Sequence, residues 1–132
     1  MIVVDASAVL DVLLRTGRAA GVEARIFRRT ETLHAPHLLD LEVLQVLRRY
    51  AQRDMSLDRA QLAISDFLDF PITRYPHDLF VHRIWEMRTR LTAYDAAYVA
   101  LAEALDAPLL TCDARLARSR GHSARIELIG RS

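Results

Sequence analysis

Short apolar runs alternate along the chain with longer segments of helical period. Met1-Ile2-Val3-Val4 is apolar and partly β-branched, stops at Asp5, and passes at once into a helical pattern from Ala6 to about Arg15. That spacing predicts a strand running straight into a helix. Thr16-Gly17 breaks the pattern, and Ala19 to Arg29 carries Val22, Ile26 and Phe27 at helical spacing with arginines between them. Thr32 to Ala35 reads as a second short strand, and Pro36 suits the start of a strongly apolar helix over Leu38 to Tyr50. Ser56 caps a further helix reaching about Phe70, and residues 71–75 form a third strand. An amphipathic helix is expected from His77 to Arg90, with Phe80, Val81, Ile84, Trp85 and Met87 on its apolar side. Thr92 caps the next helix, Ala93 to Leu105. Pro108 to Cys112 is a buried strand by pattern, Ala114 to Arg120 a short helix stopped by Gly121, and Ile126 to Ile129 a last strand.

Strands alternating with helices predict a three-layer α/β/α domain, its short, mainly parallel central sheet covered by helices on both faces. No internal repeat, low-complexity segment or linker divides the chain, so residues 1–132 are expected to form a single domain. That length suffices for a real hydrophobic core.

Composition narrows the chemistry. The net charge is +1, so no global field announces a nucleic acid. All 18 basic residues are arginine, which removes any mechanism that needs a lysine. The single cysteine, Cys112, excludes an internal disulfide and a thiolate zinc cluster, and is expected as a structural thiol in a cytoplasmic protein. The N-terminal apolar run is too short for a secretory signal. No stretch approaches the roughly 20 apolar residues of a membrane span, so no membrane partner is expected.

Four carboxylates then stand out. Asp5 and Asp113 each end an apolar strand and precede a helix, which puts both at the edge where open parallel sheets bind ligands. Glu42 interrupts an apolar helix whose neighbours at i−4, i−3 and i+4 are Leu38, Leu39 and Val46, so it faces the core side or its rim. Asp95 lies in the first turn of a helix whose alanines, Ala93, Ala96, Ala97 and Ala100, allow close approach to the sheet. Taken singly, Asp5 is a helix cap, Asp113 a turn residue, Asp95 a favourable placement at a helix N-terminus, and Glu42 a partner for an arginine. All four, however, can converge on one edge. Gathered carboxylates repel one another, and a hard divalent cation such as Mg²⁺ or Mn²⁺ relieves that repulsion. An ion so held lowers the pKa of a bound water and stabilises charge on a phosphoryl oxygen. The implied chemistry is phosphodiester hydrolysis by a metal-activated water.

The segments Ile2-Val3-Val4-Asp5-Ala6-Ser7-Ala8, Leu41-Glu42-Val43-Leu44 with Val46-Leu47-Arg48-Arg49, Tyr94-Asp95-Ala96-Ala97-Tyr98-Val99-Ala100-Leu101-Ala102, and Leu109-Leu110-Thr111-Cys112-Asp113-Ala114-Arg115-Leu116 together resemble the PIN-domain superfamily. Within it they are most similar to the VapC toxins of bacterial toxin–antitoxin pairs. The resemblance implies a metal-dependent endoribonuclease with Asp5, Glu42, Asp95 and Asp113 as metal-site and catalytic acids and Mg²⁺ or Mn²⁺ as cofactor. Ser7 and Thr111 match small hydroxyl positions that support the site in relatives. The resemblance further implies an RNA substrate, a homodimer, and a cognate VapB-like antitoxin whose C-terminal segment covers the site.

Arg115 sits next to the proposed site and is a candidate contact to the RNA backbone; Arg25, Arg28 and Arg29 read as a solvated helix face. The five histidines lack compact metal spacing and are expected at the surface or rim. Trp85 and Phe80 are expected in core or dimer packing, and Tyr94 either packs or stacks on a base. Asp11 is expected on a helix surface, and Asp40 as a first-turn acid favoured by the helix dipole.

A phosphoacceptor domain is rejected, since it relies on a lysine and its phosphatase form wants an acid where Ser7 stands. A flap nuclease would need extra acids and insertions for which this chain has no room. A catalytically silent PIN-type module that binds RNA or protein is the remaining alternative. It could lose an acid freely, and this chain keeps all four.

Overall fold

Strand β1 (Ile2–Val4) lies at the centre of a five-stranded sheet, paired with β2 (Leu33–Pro36) on one side and β4 (Leu109–Thr111) on the other. The computed structural model describes residues 1–130; the last two positions of the expected 1–132 domain lie outside them. Strands β3 (Ile72–Tyr75) and β5 (Ile126–Leu128) complete the order β3-β2-β1-β4-β5, and every pairing is parallel. The chain winds outward from β1 through β2 to β3, then returns to the other side of β1 with β4. The strand order therefore reverses between β1 and β4, and a crevice opens beyond their carboxyl ends.

Alternation along the central strands divides the interior into two layers. Ile2, Val4 and Leu110 face helices α1 (Ala6–Leu13), α2 (Ala19–Ile26), α3 (Leu38–Ala51) and α4 (Leu57–Leu68), packing with Val9, Val22, Val43 and Phe67. Val3 and Leu109 point the other way, against α6 (Ala93–Leu105) and Leu116 of α7 (Ala114–Ala117). Both faces being covered, β1 and β4 read in sequence as unbroken apolar runs. Each such Val or Leu contributes about 1.5–3 kcal/mol by its burial.

Ser56 accepts from the Arg59 N–H and Thr92 from the Asp95 N–H, capping α4 and α6 as their sequences predict. In α6 Ala96, Ala97 and Ala100 are buried as expected, and Ala102 with them, so the helix backbone lies close to the sheet; Ala93, at the first turn, is exposed instead.

Several expectations are corrected. Pro36 does not open α3; it ends β2 opposite Tyr75, and the following His37 N–H donates to the Tyr75 carbonyl. The amphipathic stretch from His77 forms a 3-10 turn (His77–Phe80) and a short α5 (Val81–Glu86). It stops because Met87 and Leu91 are drawn into the core, with the Arg90 and Leu91 N–H groups both donating to the Met87 carbonyl. Helix α7 ends at Ala117, so Gly121 serves the following turn instead, at φ +89°, where a Cβ would strike the Arg90 side chain. Trp85 is 66 % exposed, with the Arg88 guanidinium 4.6 Å from its ring centre, and is no part of the core; Phe80 is partly buried against it.

Asp11 is not a surface residue. It is buried, and Arg18 returns after the turn to approach it at 3.0 Å. His34 is buried on β2, its ring between the Thr32 and Tyr75 hydroxyls at 2.8 Å each; burial pushes its pKa down. Arg25 is likewise no solvated bystander. It bonds Glu31 and Glu127, tying α2 to β5, while Glu31 also meets the N-terminal ammonium at 2.9 Å. Asp40, in the first turn of α3 as expected, pairs with Arg74 at 2.8 Å.

A two-pronged pair joins Arg83 to Glu103 at 2.7 and 2.9 Å, and Glu103 also accepts from the Ser123 N–H at 2.9 Å. These bonds, Arg83 first, hold the Glu103 carboxyl at about 2, well below its ordinary 4.5. A depressed acid stabilises the fold above its unfolded pKa, and that stabilisation is lost as pH falls through the folded value. The urea midpoint of the native chain should therefore fall more steeply between about pH 5 and about pH 3 than that of Glu103→Gln. Parallel curves for the two proteins would show that the pair contributes nothing.

Candidate active site

Asp5 is the first residue after β1, and its backbone shows why it sits there. Its N–H still donates to Leu110 of β4, while its extended φ/ψ (−93°, 174°) makes it the N-cap of α1. The carboxylate is buried and fully engaged. One oxygen accepts from the Ser7 hydroxyl at 2.7 Å and the Ala8 N–H at 3.0 Å; the other accepts from the Thr111 hydroxyl. Burial nevertheless dominates these donors, and with Asp113 nearby it pushes Asp5 up to about 6.

Thr111 closes β4 in the register position beside Asp5. Besides donating to Asp5, its oxygen accepts the Asp113 N–H at 3.0 Å, so one side chain fixes two acids. Ser7 links the same strands differently: its oxygen accepts the Cys112 N–H at 2.9 Å while its hydroxyl serves Asp5. Both hydroxyls thus donate to the Asp5 carboxylate.

Asp113 caps α7, accepting from the Arg115 N–H at 2.8 Å. Asp95 stands in the first turn of α6. The Arg115 guanidinium bridges these two acids, at 3.0 Å from Asp95 and 3.3 Å from Asp113. Glu42 projects from α3, half-buried, and accepts the Tyr98 hydroxyl at 2.6 Å. Burial raises its pKa and Asp95 adds to that, against the Tyr98 bond.

Asp5, Glu42, Asp95 and Asp113 thus line one cleft of about 150 Å³ together with Ala6, Ser7 and Tyr98. Arg115, outside that lining, meets two of the four carboxylates, and its pKa is raised by Asp95 first and Asp113 next. Oxygen donors in a small polar cleft suit a hard divalent cation, and Arg115 already holds a positive charge against two of them. Each acid is turned to its local partner, and among the described residues no three such side chains close around one point.

Tyr98 was given no role by its sequence. It is almost wholly buried, its ionisation suppressed by burial and by Glu42, and it positions that acid. The signal lay in its spacing, three residues after Asp95 on the same helical face. Cys112 lies beside Asp11, half-buried, its thiol pushed up to about 12 by burial, as suits a structural thiol. Two grooves flank the cleft. One, of about 450 Å³ and mostly apolar, is lined by Leu38, Leu41, Val46, Arg49 and Tyr94. The other, about 370 Å³ and more polar, runs past Ser7, Asp113 and Cys112 to Arg18, Arg49 and Tyr50.

Comparison with known proteins gives concordant matches. The PIN domain pattern matches residues 2–121. Ribonuclease VapC12 of Mycobacterium tuberculosis is 45 % identical over 130 residues, covering 98 % of this chain and 99 % of the relative. Ribonuclease VapC9 of the same organism is 49 % identical over 117 residues, 88 % of each chain. Among solved structures, VapBC2 from Rickettsia felis, bound to a DNA fragment from its promoter, superposes with a TM-score of 0.68. That likeness covers 97 % of this chain and 98 % of the other at 14 % identity, and bears on the fold alone.

Proposed function

The chain belongs to the PIN-domain family, and we propose that it is an endoribonuclease toxin of the VapC type, cutting RNA at the cleft of Asp5, Glu42, Asp95 and Asp113. The observation that carries this is the convergence of four acids from four separate segments on one small cleft, at the reversal of strand order. Near-full-length similarity to proteins named ribonuclease VapC supports the same reading.

A Mg²⁺ or Mn²⁺ ion would be held by these carboxylates, and when bound it supplies charge for a phosphoryl oxygen and a water of lowered pKa. The chain's own residues do the rest. Ser7, Thr111 and the Ala8 N–H hold the Asp5 carboxylate in one orientation at the cleft. Tyr98 holds Glu42 toward the cleft. Arg115, 65 % exposed, has the reach to leave Asp95 and Asp113 and meet an RNA phosphate.

We extend the reading to partners. A VapB-like antitoxin is expected to cover the site; the apolar groove beside the acids, with Leu38, Leu41 and Val46, suits a protein segment. The VapBC2 neighbour bears the paired name of such a complex. A homodimer is supported by exposed Leu79, Val81 and Trp85, clustered in one short segment. Among the described residues no helix is long and apolar enough to cross a membrane.

Three experiments follow. Purified protein incubated with total RNA should give discrete cuts with Mn²⁺ or Mg²⁺, none with EDTA, and none for folded Asp5→Asn. Cuts that persist in EDTA or in that variant would sink the assignment; none in any lane would favour the silent binding module. Because Arg115 occupies the carboxylates, Arg115→Ala should bind Mn²⁺ a few-fold more tightly by calorimetry. Arg118→Ala, equal in charge change but without these contacts, should not; equal effects in both would reduce the contact to a general field. Light scattering should give the mass of two chains, and a one-chain mass at micromolar concentration would refute the dimer.

A further inference from the structure

The polar groove contains a basic side chain that the proposed chemistry leaves unused. Arg49 is exposed at the last turn of α3, and among the described residues no carboxylate lies within ion-pairing distance of it. The other guanidinium on that groove, Arg18, is committed to buried Asp11 at 3.0 Å. Arg49 also borders the apolar groove, so it stands on the ridge between the two channels that leave the acidic cleft.

Its position relative to the acids is set by helix geometry. Glu42, Val46 and Arg49 fall at i, i+4 and i+7, one stripe of α3. Seven residues at the helical rise place Arg49 about 10 Å along the axis from Glu42. The polar groove is continuous with the cleft, since Ser7 and Asp113 line both. A single strand whose scissile phosphate lies at the acids must carry its flanking nucleotides away along such a channel. Tyr50, the next residue, offers a ring in the same groove on which a base can stack.

We propose that Arg49 is the phosphate clamp of an RNA subsite running along this groove, binding the strand beside the scissile position. The inference rests on the nuclease reading above. It assigns Arg49 to binding, where a guanidinium grips phosphate oxygens in a two-pronged, sequence-independent way. Chain-wide charge cannot do this work, because the net charge is only +1.

The test is RNA affinity, measured in an Asp95→Asn background that prevents turnover; Asp95 lines neither groove. The probe is a fluorescein-labelled single-stranded RNA of mixed sequence, titrated by anisotropy over a range of salt concentrations. Arg49→Ala should weaken binding several-fold and lower the slope of log K against log salt by about 0.7, the share of one phosphate contact on a single strand. Arg48→Ala removes the same charge from a neighbour that lines neither groove, and should leave the slope unchanged. Unchanged unfolding midpoints would show that both exposed substitutions leave the fold intact. Equal affinity of Arg49→Ala and its parent overturns the clamp while the nuclease reading stands. Equal losses from Arg48→Ala and Arg49→Ala overturn it too, because the effect would then be a general field. A folded parent that binds no RNA overturns both readings together.

Discussion

A carboxylate held at the end of the central strand governs the rest of the site. An acid buried as deeply as Asp5 is unfavourable unless donors meet it. Here they come from both ends of the chain: Ser7 and Ala8 from the turn into α1, and Thr111 from β4, more than a hundred residues later. The site therefore exists only once β4 has paired beside β1. Val3 against Leu109 and Val4 against Leu110 set that register, and Thr111 follows at the position that reaches Asp5. Formation of the core and of the candidate active site is one event, because the same pairing makes both.

The other acids are placed by the same economy of means. Asp5 caps α1, Asp113 caps α7, and Asp95 lies in the first turn of α6. Each has a local reason to sit where it does, since free N–H groups at a helix start favour a negative charge. The capping role of these acids and the catalytic role proposed for them are therefore compatible with one arrangement. Three helices begin beside one crevice, so the acids that suit their N-termini are also the acids that meet across it. Glu42 differs. It comes from the middle of α3, depends on the Tyr98 hydroxyl, and has its pKa raised by burial.

That economy explains what was legible in the sequence. Met1 to Val4 and Pro108 to Cys112 stood out because strands buried on both faces are apolar throughout. Thr92 and the alanines after it announced α6 with its boundaries intact. The four acids were legible because each broke an apolar pattern. Asp11 was not, because a polar residue between Leu10 and Val12 looks solvent-facing until Arg18 and Cys112 are brought to it by the fold. His34 and Arg25 failed for the same reason: their partners Tyr75 and Glu127 lie 41 and 102 residues away. The amphipathic pattern after His77 gave a helical period correctly but carried no mark of where Met87 would turn inward. In each case the pattern recorded local preference and the tertiary partner decided the outcome.

With no lysine in the chain, every side chain carrying a fixed positive charge is a guanidinium, and many are already spent on the fold. Arg25, Arg74, Arg83 and Arg125 hold carboxylates that join separate segments, and Arg18 neutralises Asp11. A nearly neutral molecule has little long-range attraction for a polyanion. On the proposed reading, affinity for RNA comes from guanidiniums beside the cleft, each acting at contact distance. Such a surface responds to the loss of one arginine far more sharply than a uniformly basic one would. On the proposed reading it also leaves recognition to the shape and lining of the grooves beside Glu42 and Asp113.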